Sequence, residues 1–241
     1  YRDCFSNGAN FDSTPGALTG SITLFKGTEA VSVSDLPPPT IETIDLNDGP
    51  HPCPDNINVC IEKGTYVFAY TFPPDQEVYT LSYQRCCRTN TISNILNPEE
   101  SGLTFTISIN NQAQTDCNKS PKITQVPPPI VCVNQAIELD FSAIDPDGDL
   151  LEYSFCAPNI GGGLAGSGMI PGSATDPNGV APQPETPPPY DQVTFIDPIY
   201  TAENPLGPNF NIDKNTGLVS GTPEVIGQFV FGLCIKEYRD N

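Results

Sequence analysis

Residues 137–155, I-E-L-D-F-S-A-I-D-P-D-G-D-L-L-E-Y-S-F, decide the fold class because they predict a strand, an acidic turn and a second strand. Apolar side chains alternate with polar ones on both sides of the turn, which is the period-two pattern of half-buried strands. The turn itself, at 145–149, contains the Pro and the Gly that tight turns favour. We therefore predict an antiparallel β unit in this part of the chain.

The composition extends this prediction to the whole chain of 241 residues. Its 27 Pro and 20 Gly interrupt any helical register, and no window of about 12 residues shows a helical period. Alternating apolar segments recur between turn signals, as in all-β sandwiches. Strands are predicted at 21–25, 30–33, 41–46, 65–72, 78–84, 103–109, 130–133, 136–144, 150–156, 192–196, 209–213, 217–220 and 227–237.

We predict two tandem β-sandwich modules, at 1–122 and 123–241, with long Pro/Gly-rich loops. A triple proline at 127–129 lies near their boundary, and such a run favours stiff, extended polyproline II that would hold the modules in a row. The second module carries an insertion at 158–190 without periodicity, and loops of this length are either functional or disordered.

The charge and the single histidine exclude several classes of function. With 29 acidic and 10 basic residues, the net charge of −19 at pH 7 would repel nucleic-acid phosphates. The one imidazole, His51, lies between two prolines, and the sequence has no Gly-x-Ser-x-Gly motif for a hydrolase nucleophile. The chain is therefore predicted not to be an enzyme.

The nine cysteines are scattered and lack the paired Cys-x-x-Cys knuckles of structural zinc sites. In an acidic β protein this pattern indicates disulfides and an oxidising compartment outside the cytosol. The odd number leaves one thiol either free or paired with something beyond these 241 residues. The disulfide candidates are Cys4, Cys53, Cys60, Cys86, Cys87, Cys117, Cys132, Cys156 and Cys234.

Two local groupings of cysteines follow from their positions. Cys53 and Cys60 are close enough in sequence to staple the Pro-rich loop between them. Four others would cross-link the first module, namely Cys4, Cys86, Cys87 and Cys117. The adjacent Cys86 and Cys87 are alternatively a reactive or metal-binding pair.

The acidic turn has two interpretations that the residues alone leave open. Asp145, Asp147 and Asp149 either bond to nearby backbone amides in a solvated turn, or supply oxygen ligands to Ca²⁺. An EF-hand is excluded, because the sixth and twelfth positions counted from Asp145 are Leu150 and Cys156 rather than Gly and an acid.

The second half contains, in order, the motifs A-I-D-P-D-G-D at 143–149, L-E-Y-S at 151–154, F-N-I-D-K-N-T-G-L-V-S-G-T-P at 210–223 and G-Q-F-V at 227–230. In these motifs it resembles the cadherin-like, Ig-like modules of bacterial surface proteins. The resemblance implies that Asp145 and Asp147 match a calcium-binding D-x-D pair, with Asp149 as a looser third ligand. In the implied sandwich topology the strands of Cys156 and Cys234 are neighbours, which makes these cysteines a second candidate disulfide.

This chain departs from calcium-binding cadherins at two places. Q-V-P-P-P at 125–129 replaces their acidic linker, and G-T-P at 221–223 replaces their second acidic motif. A clamp of three ions between modules is therefore not expected, and a single Ca²⁺ is the relevant alternative to a plain turn.

A second set of motifs extends over the whole chain, namely Y-R-D-C at 1–4, Y-Q-R-C-C-R at 83–88, V-C-V-N at 131–134, the acidic turn and E-Y-R at 237–239. In this set the chain resembles large Bacteroidota surface proteins that are labelled gliding-motility-associated and exported by the type IX secretion system. The resemblance implies a cell-surface stalk or adhesin whose partners are neighbouring modules, the export and anchoring machinery, and a surface or glycan ligand. It also implies an O-glycan at Ser13, in the pattern D-S-T at 12–14.

Other features bear on this expectation. Y-R-D at 1–3 and at 238–240 would mark equivalent strand ends in successive modules of a longer secreted protein.

One alternative function is a carbohydrate-binding region of a secreted polysaccharide-degrading enzyme, in which sugars would stack on Tyr66, Tyr70, Tyr79 and Tyr83. Another is a fibre subunit that self-assembles with identical copies.

Overall fold

The structure, a computed structural model, describes residues 1–3, 10–44, 60–72, 77–125, 127, 130–161 and 181–239. Within these residues it contains fourteen strands, one short α-helix and one 3₁₀ helix, so the predicted all-β class is confirmed. In chain order the strands are β1 (Arg2–Asp3), β2 (Ser21–Lys26), β3 (Glu29–Asp35), β4 (Thr40–Ile44), β5 (Ile61–Thr65), β6 (Tyr79–Arg85), β7 (Leu103–Ile109), β8 (Lys122–Ile123), β9 (Ile137–Asp140), β10 (Ala143–Ile144), β11 (Leu150–Cys156), β12 (Phe210–Ile212), β13 (Leu218–Gly221) and β14 (Gly232–Tyr238).

The first half contains two antiparallel sheets. One has four strands in the order β3-β2-β6-β7, and the other has three in the order β1-β5-β4. Leu24 and Phe25 of β2 and Tyr79 of β6 are each only 1% exposed and form the core of the larger sheet. The central strands β2 and β6 thus carry the large apolar residues, as their sequence pattern predicts.

A polar face of the larger sheet is covered by the far end of the 158–190 insertion. Glu185, which is 2% exposed, accepts hydrogen bonds from the hydroxyl groups of Ser21 and Thr23 on β2. The backbone N–H of Thr186 donates to the side-chain oxygen of Gln84 on β6 at 2.9 Å. Residues 181–190 are therefore a packed strap on the first sheet, whereas residues 162–180 lie outside the described residues.

The second half contains a three-stranded sheet, β12-β13-β9, and two strand pairs, β11-β14 and β10-β8. The β11-β14 pair runs in register from Leu150 opposite Tyr238 to Cys156 opposite Gly232. Phe231 packs edge-on against Phe141 and Phe155, with ring centroids 5.6 and 5.7 Å apart. These aromatic contacts join the β9 side of the unit to the β11-β14 pair.

The two halves are also joined through residues 92–96. The fully buried side chain of Asn94 donates from Nδ2 to the carbonyl oxygens of Pro205 and Val230, each at 2.7 Å. Its Oδ1 accepts from the N–H of Val230 at 3.0 Å. Ile95 packs nearby in a buried cluster with Val193 and Phe195. The two halves are thus in contact through residues 92–96. Pro128 and Pro129 lie outside the described residues, so the row of modules that the triple proline predicts stays a prediction.

Several predicted strands are absent from the described structure. Residues 66–72 form no strand, and the ring of Phe72 packs against those of Tyr70 and Tyr79. Residues 130–133 lead into a turn, and 192–196 make only isolated bridges. The short helix α1 (Asn111–Thr115), begun by an Asn110 side-chain cap, was not predicted.

Candidate functional site

The acidic turn between β10 and β11 is organised by one oxygen of Asp145. Its Oδ1 accepts hydrogen bonds from the backbone N–H groups of Asp147 at 2.8 Å and Asp149 at 3.1 Å. Gly148 has a φ of +85°, which side chains rarely tolerate. The other oxygen, Oδ2 of Asp145, is buried and has no hydrogen-bond partner in the described structure. The aspartate therefore shapes the turn and keeps one oxygen without a partner.

Three carboxylates come together at this turn. Asp145, Asp149 and Glu237 each place one carboxylate oxygen within 4.8 Å of the others, and all three residues are partly buried. Glu237 reaches the group because β14 pairs with β11 in a register that sets it opposite Leu151. Oxygen ligands of this kind are the ones that Ca²⁺ prefers.

Asp147, the second aspartate of the predicted triplet, is held elsewhere. It accepts hydrogen bonds from the backbone N–H and the Nζ of Lys119, both at 2.7 Å. These bonds lower the pKa of Asp147 below its usual value. The structure therefore gathers Asp145 and Asp149 with Glu237, a residue that sequence reasoning missed because its position depends on strand register.

Arg239 supplies the positive charge next to the three carboxylates. It donates to Asp149 from Nε at 2.9 Å and from Nη2 at 2.6 Å, and it also lies 3.7 Å from the carboxylate of Asp116. The hydrogen bond from Arg239 lowers the pKa of Asp149, whereas that of Arg239 is raised. One cation thus partly neutralises an acidic group that extends beyond the turn.

The pKa of Glu237 is raised, in contrast to that of Asp149. Burial raises its pKa, and contact with the Asp149 carboxylate raises it further, although a hydrogen bond from Asn118 acts in the opposite direction. Two carboxylates in contact favour a shared proton or a bound cation. The group therefore brings oxygen atoms of three carboxylates within 4.8 Å of one another, and one of these residues, Asp149, is already bonded to Arg239.

Arg2 and Arg239, from the two Tyr-Arg-Asp segments, each pair with a carboxylate across a strand pair. Arg2 lies within β1, directly opposite Glu62 of β5, and its Nε donates to Oε2 of that glutamate at 2.8 Å. Arg239 instead follows the last residue of β14 and bonds Asp149, which precedes β11. Asp240 lies outside the described residues, so the equivalence of the two segments stays a prediction.

Two disulfides are resolved completely. Cys156 and Cys234 are bonded with their Cα atoms 5.9 Å apart, and they link the antiparallel strands β11 and β14. Cys86 and Cys87 are bonded to each other. They therefore do not form the cross-links within the first module that their positions suggested.

The remaining cysteines fall into three groups. Cys60 and Cys132 are each disulfide-bonded. Cys117, a disulfide candidate, is instead a free and exposed thiol. Cys4 and Cys53 lie outside the described residues, as does His51, so the Cys53–Cys60 pair stays a prediction.

Ser13, the expected O-glycan site, has a buried Oγ without a hydrogen-bond partner among the described residues, and its backbone has a φ of 59°. The O-glycan at Ser13 stays a prediction.

The tyrosines considered for sugar stacking are engaged inside the protein. Tyr79 is 1% exposed, and the hydroxyl groups of Tyr66 and Tyr83 donate to the backbone carbonyl and the carboxylate of Asp12. Burial raises the pKa of Tyr83, and it raises that of Tyr66 to about 12. Tyr70 packs edge-on against the ring of Phe72. These four residues do not form an open aromatic platform.

Nothing outside the chain supplies a function for these features. In the portion of the protein that the structure describes, no helix has both the length and the apolar character needed to cross a bilayer. No protein-family model matches the chain, and no curated protein or solved structure is significantly similar to it.

Proposed function

We propose that the chain is an extracellular structural or adhesive region of a large cell-surface protein. Cysteine usage carries this proposal, since six of the seven cysteines in the described residues are disulfide-bonded and Cys117 alone is free. Disulfides persist in oxidising environments and are rare in the cytosol. The motif resemblance to Bacteroidota gliding-associated proteins exported by the type IX system adds the cell surface as the destination.

The proposed role is mechanical. The two β units, 1–122 and 123–241, would act as Ig-like sandwiches that transmit load between neighbouring modules of the same polypeptide and a surface or glycan ligand. The 181–190 strap and the buried Asn94 side chain fix one unit against the other. A stalk needs such fixed contacts, because freely hinged modules would not hold a distal part at a set distance.

The acidic group is proposed to bind one Ca²⁺ through Asp145, Asp149 and Glu237. The supporting observations are the oxygen donors within 4.8 Å of one another and the buried, unpaired Oδ2 of Asp145. A bound ion would neutralise the repulsion between the acidic turn and the end of β14. It would thereby stiffen the β11-β14 pair that the Cys156–Cys234 disulfide already links.

Two measurements test these proposals separately. Calcium titration of the purified chain, followed by calorimetry and by thermal unfolding, should show one site and a higher unfolding temperature. Binding of a surface or glycan ligand is tested on a glycan array and on abiotic surfaces. A chain that binds calcium but adheres to nothing would be a structural segment rather than an adhesin.

A further inference from the structure

Stabilisation of the fold by loop closure does not explain the Cys86–Cys87 disulfide. A disulfide stabilises a fold mainly by closing a loop in the unfolded chain, and this effect grows with the length of the loop. Cys156 and Cys234 are separated by 78 residues, whereas Cys86 and Cys87 are adjacent. The adjacent pair therefore restrains almost none of the unfolded chain, and reducing it would break no long-range link.

The two sulfur atoms belong to residues of unequal exposure. Cys86, directly after β6, is 9% exposed, whereas Cys87 is an exposed residue. An external thiol would approach the Cys87 side of the bond, and the Cys86 sulfur would leave into the protein. Accessible disulfides of this kind are the labile ones, in contrast to buried structural disulfides.

Two arginines flank the pair in the sequence, Arg85 before it and Arg88 after it. Arg85 forms an ion pair with Asp12, and its buried Nη1 has no hydrogen-bond partner among the described residues. Arg88 donates to the carbonyl oxygen of Asn159 at 3.3 Å, and its buried Nε likewise has no partner in the described part of the chain. Burial lowers the pKa of Arg88 to about 10, so this arginine remains charged at neutral pH. Positive charge near a cysteine favours the thiolate.

We propose that Cys86–Cys87 is a thiol–disulfide exchange site for external thiols. A thiolate attacks the sulfur of Cys87, a new S–S bond forms between the two, and the Cys86–Cys87 bond breaks with Cys86 leaving as a thiolate. A second external thiol then attacks the external sulfur of this mixed disulfide. The two external thiols leave as one disulfide, and Cys87 is left as a thiolate. Two electrons and two protons pass to the cysteine pair, and the Cys156–Cys234 disulfide is untouched.

Graded glutathione buffers test the proposal on the complete oxidised chain. Thiols are trapped with iodoacetamide at each ratio of reduced to oxidised glutathione, and each cysteine is quantified by mass spectrometry. Cys86 and Cys87 should become labelled at a more oxidising ratio than Cys156 and Cys234, with an unchanged circular dichroism spectrum. The matched variant, Cys86→Ser with Cys87→Ser, should keep the spectrum and lose this first labelling step.

Two results would overturn the proposal. One is reduction of Cys86 and Cys87 only together with, or after, the Cys156–Cys234 pair. The other is a non-reducing peptide map in which Cys86 or Cys87 is linked to a different cysteine.

The pH dependence of alkylation in Arg88 variants distinguishes an effect of the Arg88 charge on the thiolate from a purely structural role of this residue. In Arg88→Gln, alkylation of the reduced pair should be several-fold slower at neutral pH and recover at higher pH, because the thiolate loses a neighbouring positive charge. Arg88→Lys should preserve the original pH profile. An identical profile in Arg88→Gln would contradict the role assigned to this guanidinium group.

Discussion

Arg239 and Asp149 form a two-point ion pair between residues 90 positions apart, with Nε 2.9 Å from Oδ1 and Nη2 2.6 Å from Oδ2. The pair ties the end of β14 to the acidic turn that precedes β11. Because β14 is held in this register, Glu237 lies beside Asp145 and Asp149. The candidate cation site is therefore built by strand pairing as much as by the turn.

The variant Glu237→Gln tests which residues hold the proposed calcium ion. They are either the group that includes Glu237 or the aspartates of the turn alone. In Glu237→Gln, calcium affinity should fall on the order of tenfold or more, because ligand charge tunes the affinity of such sites. Asp147→Asn is the matched control, since Asp147 bonds Lys119 instead. Calorimetric titration of both variants provides the measurement. A larger loss in Asp147→Asn than in Glu237→Gln would show that the turn alone holds the ion.

Removing Arg239 should strengthen calcium binding and weaken the calcium-free fold. In Arg239→Gln, Asp149 loses its internal counter-charge and becomes available to the ion. Arg2→Gln is the control, because Arg2 forms a cross-strand pair with Glu62, in the β1-β5 pair of the first half. Arg2→Gln should lower stability without changing calcium affinity. Equal calcium affinities in the unmodified protein, Arg239→Gln and Arg2→Gln would contradict the idea that Arg239 competes with calcium for Asp149.

The same variant changes the response to acid. Arg239 lowers the pKa of Asp149 below its ordinary value of 3.8, so the pair contributes stability above that pH and loses it as the pH falls through the lower, folded value. Urea unfolding from neutral to acidic pH should show a smaller acid loss in Arg239→Gln than in the unmodified chain. If Arg239→Gln loses as much stability in acid as the unmodified chain does, the acid sensitivity comes from other carboxylates.

Breaking the long-range disulfide should destabilise the protein substantially. Cys156→Ala with Cys234→Ala should lower the free energy of unfolding by about 2–4 kcal/mol, as expected for a disulfide that closes a long loop. Cys117→Ser, which removes only an exposed free thiol, should change it by roughly 0.5 kcal/mol or less. Denaturant unfolding under non-reducing conditions measures both.

The buried strap glutamate should make stability fall as the pH rises. Burial raises the pKa of Glu185 above its ordinary value of 4.5, so the folded state holds this proton more tightly than the unfolded state does. Stability from this group is complete below 4.5 and decreases as the pH rises through the higher, folded value. Glu185→Gln should remove that decrease, whereas Glu224→Gln, at an exposed position, should retain it.

Sequence patterns were sufficient to place some of the strands. The alternation at 150–156 and 103–109 predicted β11 and β7 with the observed bounds, because aromatic and β-branched residues favour extended strands; β7 nevertheless leaves Phe105 63% and Ile107 40% exposed. The pattern at 65–72 was misleading, since Thr65 ends β5 and the described residues after it, 66–72, form no strand. Local pattern does not reveal whether a partner strand is present.

The candidate site was predictable only in its turn. Asp145 and Asp149 were found from the D-P-D-G-D motif, but the part played by Glu237 follows from contacts between residues that are far apart in the chain. The strap at 181–190 was missed for a similar reason. Its sequence has no periodicity, and its packing depends on single polar contacts such as Glu185 with Ser21 and Thr23.

The most direct test of the central claim, that this is a disulfide-linked protein of the cell exterior, is surface labelling of intact native cells. Cells are treated with a membrane-impermeant amine-reactive biotin, and captured peptides are mapped without reduction. The account predicts labelled peptides from this chain before lysis, with Cys156 linked to Cys234. Labelling only after lysis, with both of these cysteines recovered as free thiols, would contradict it.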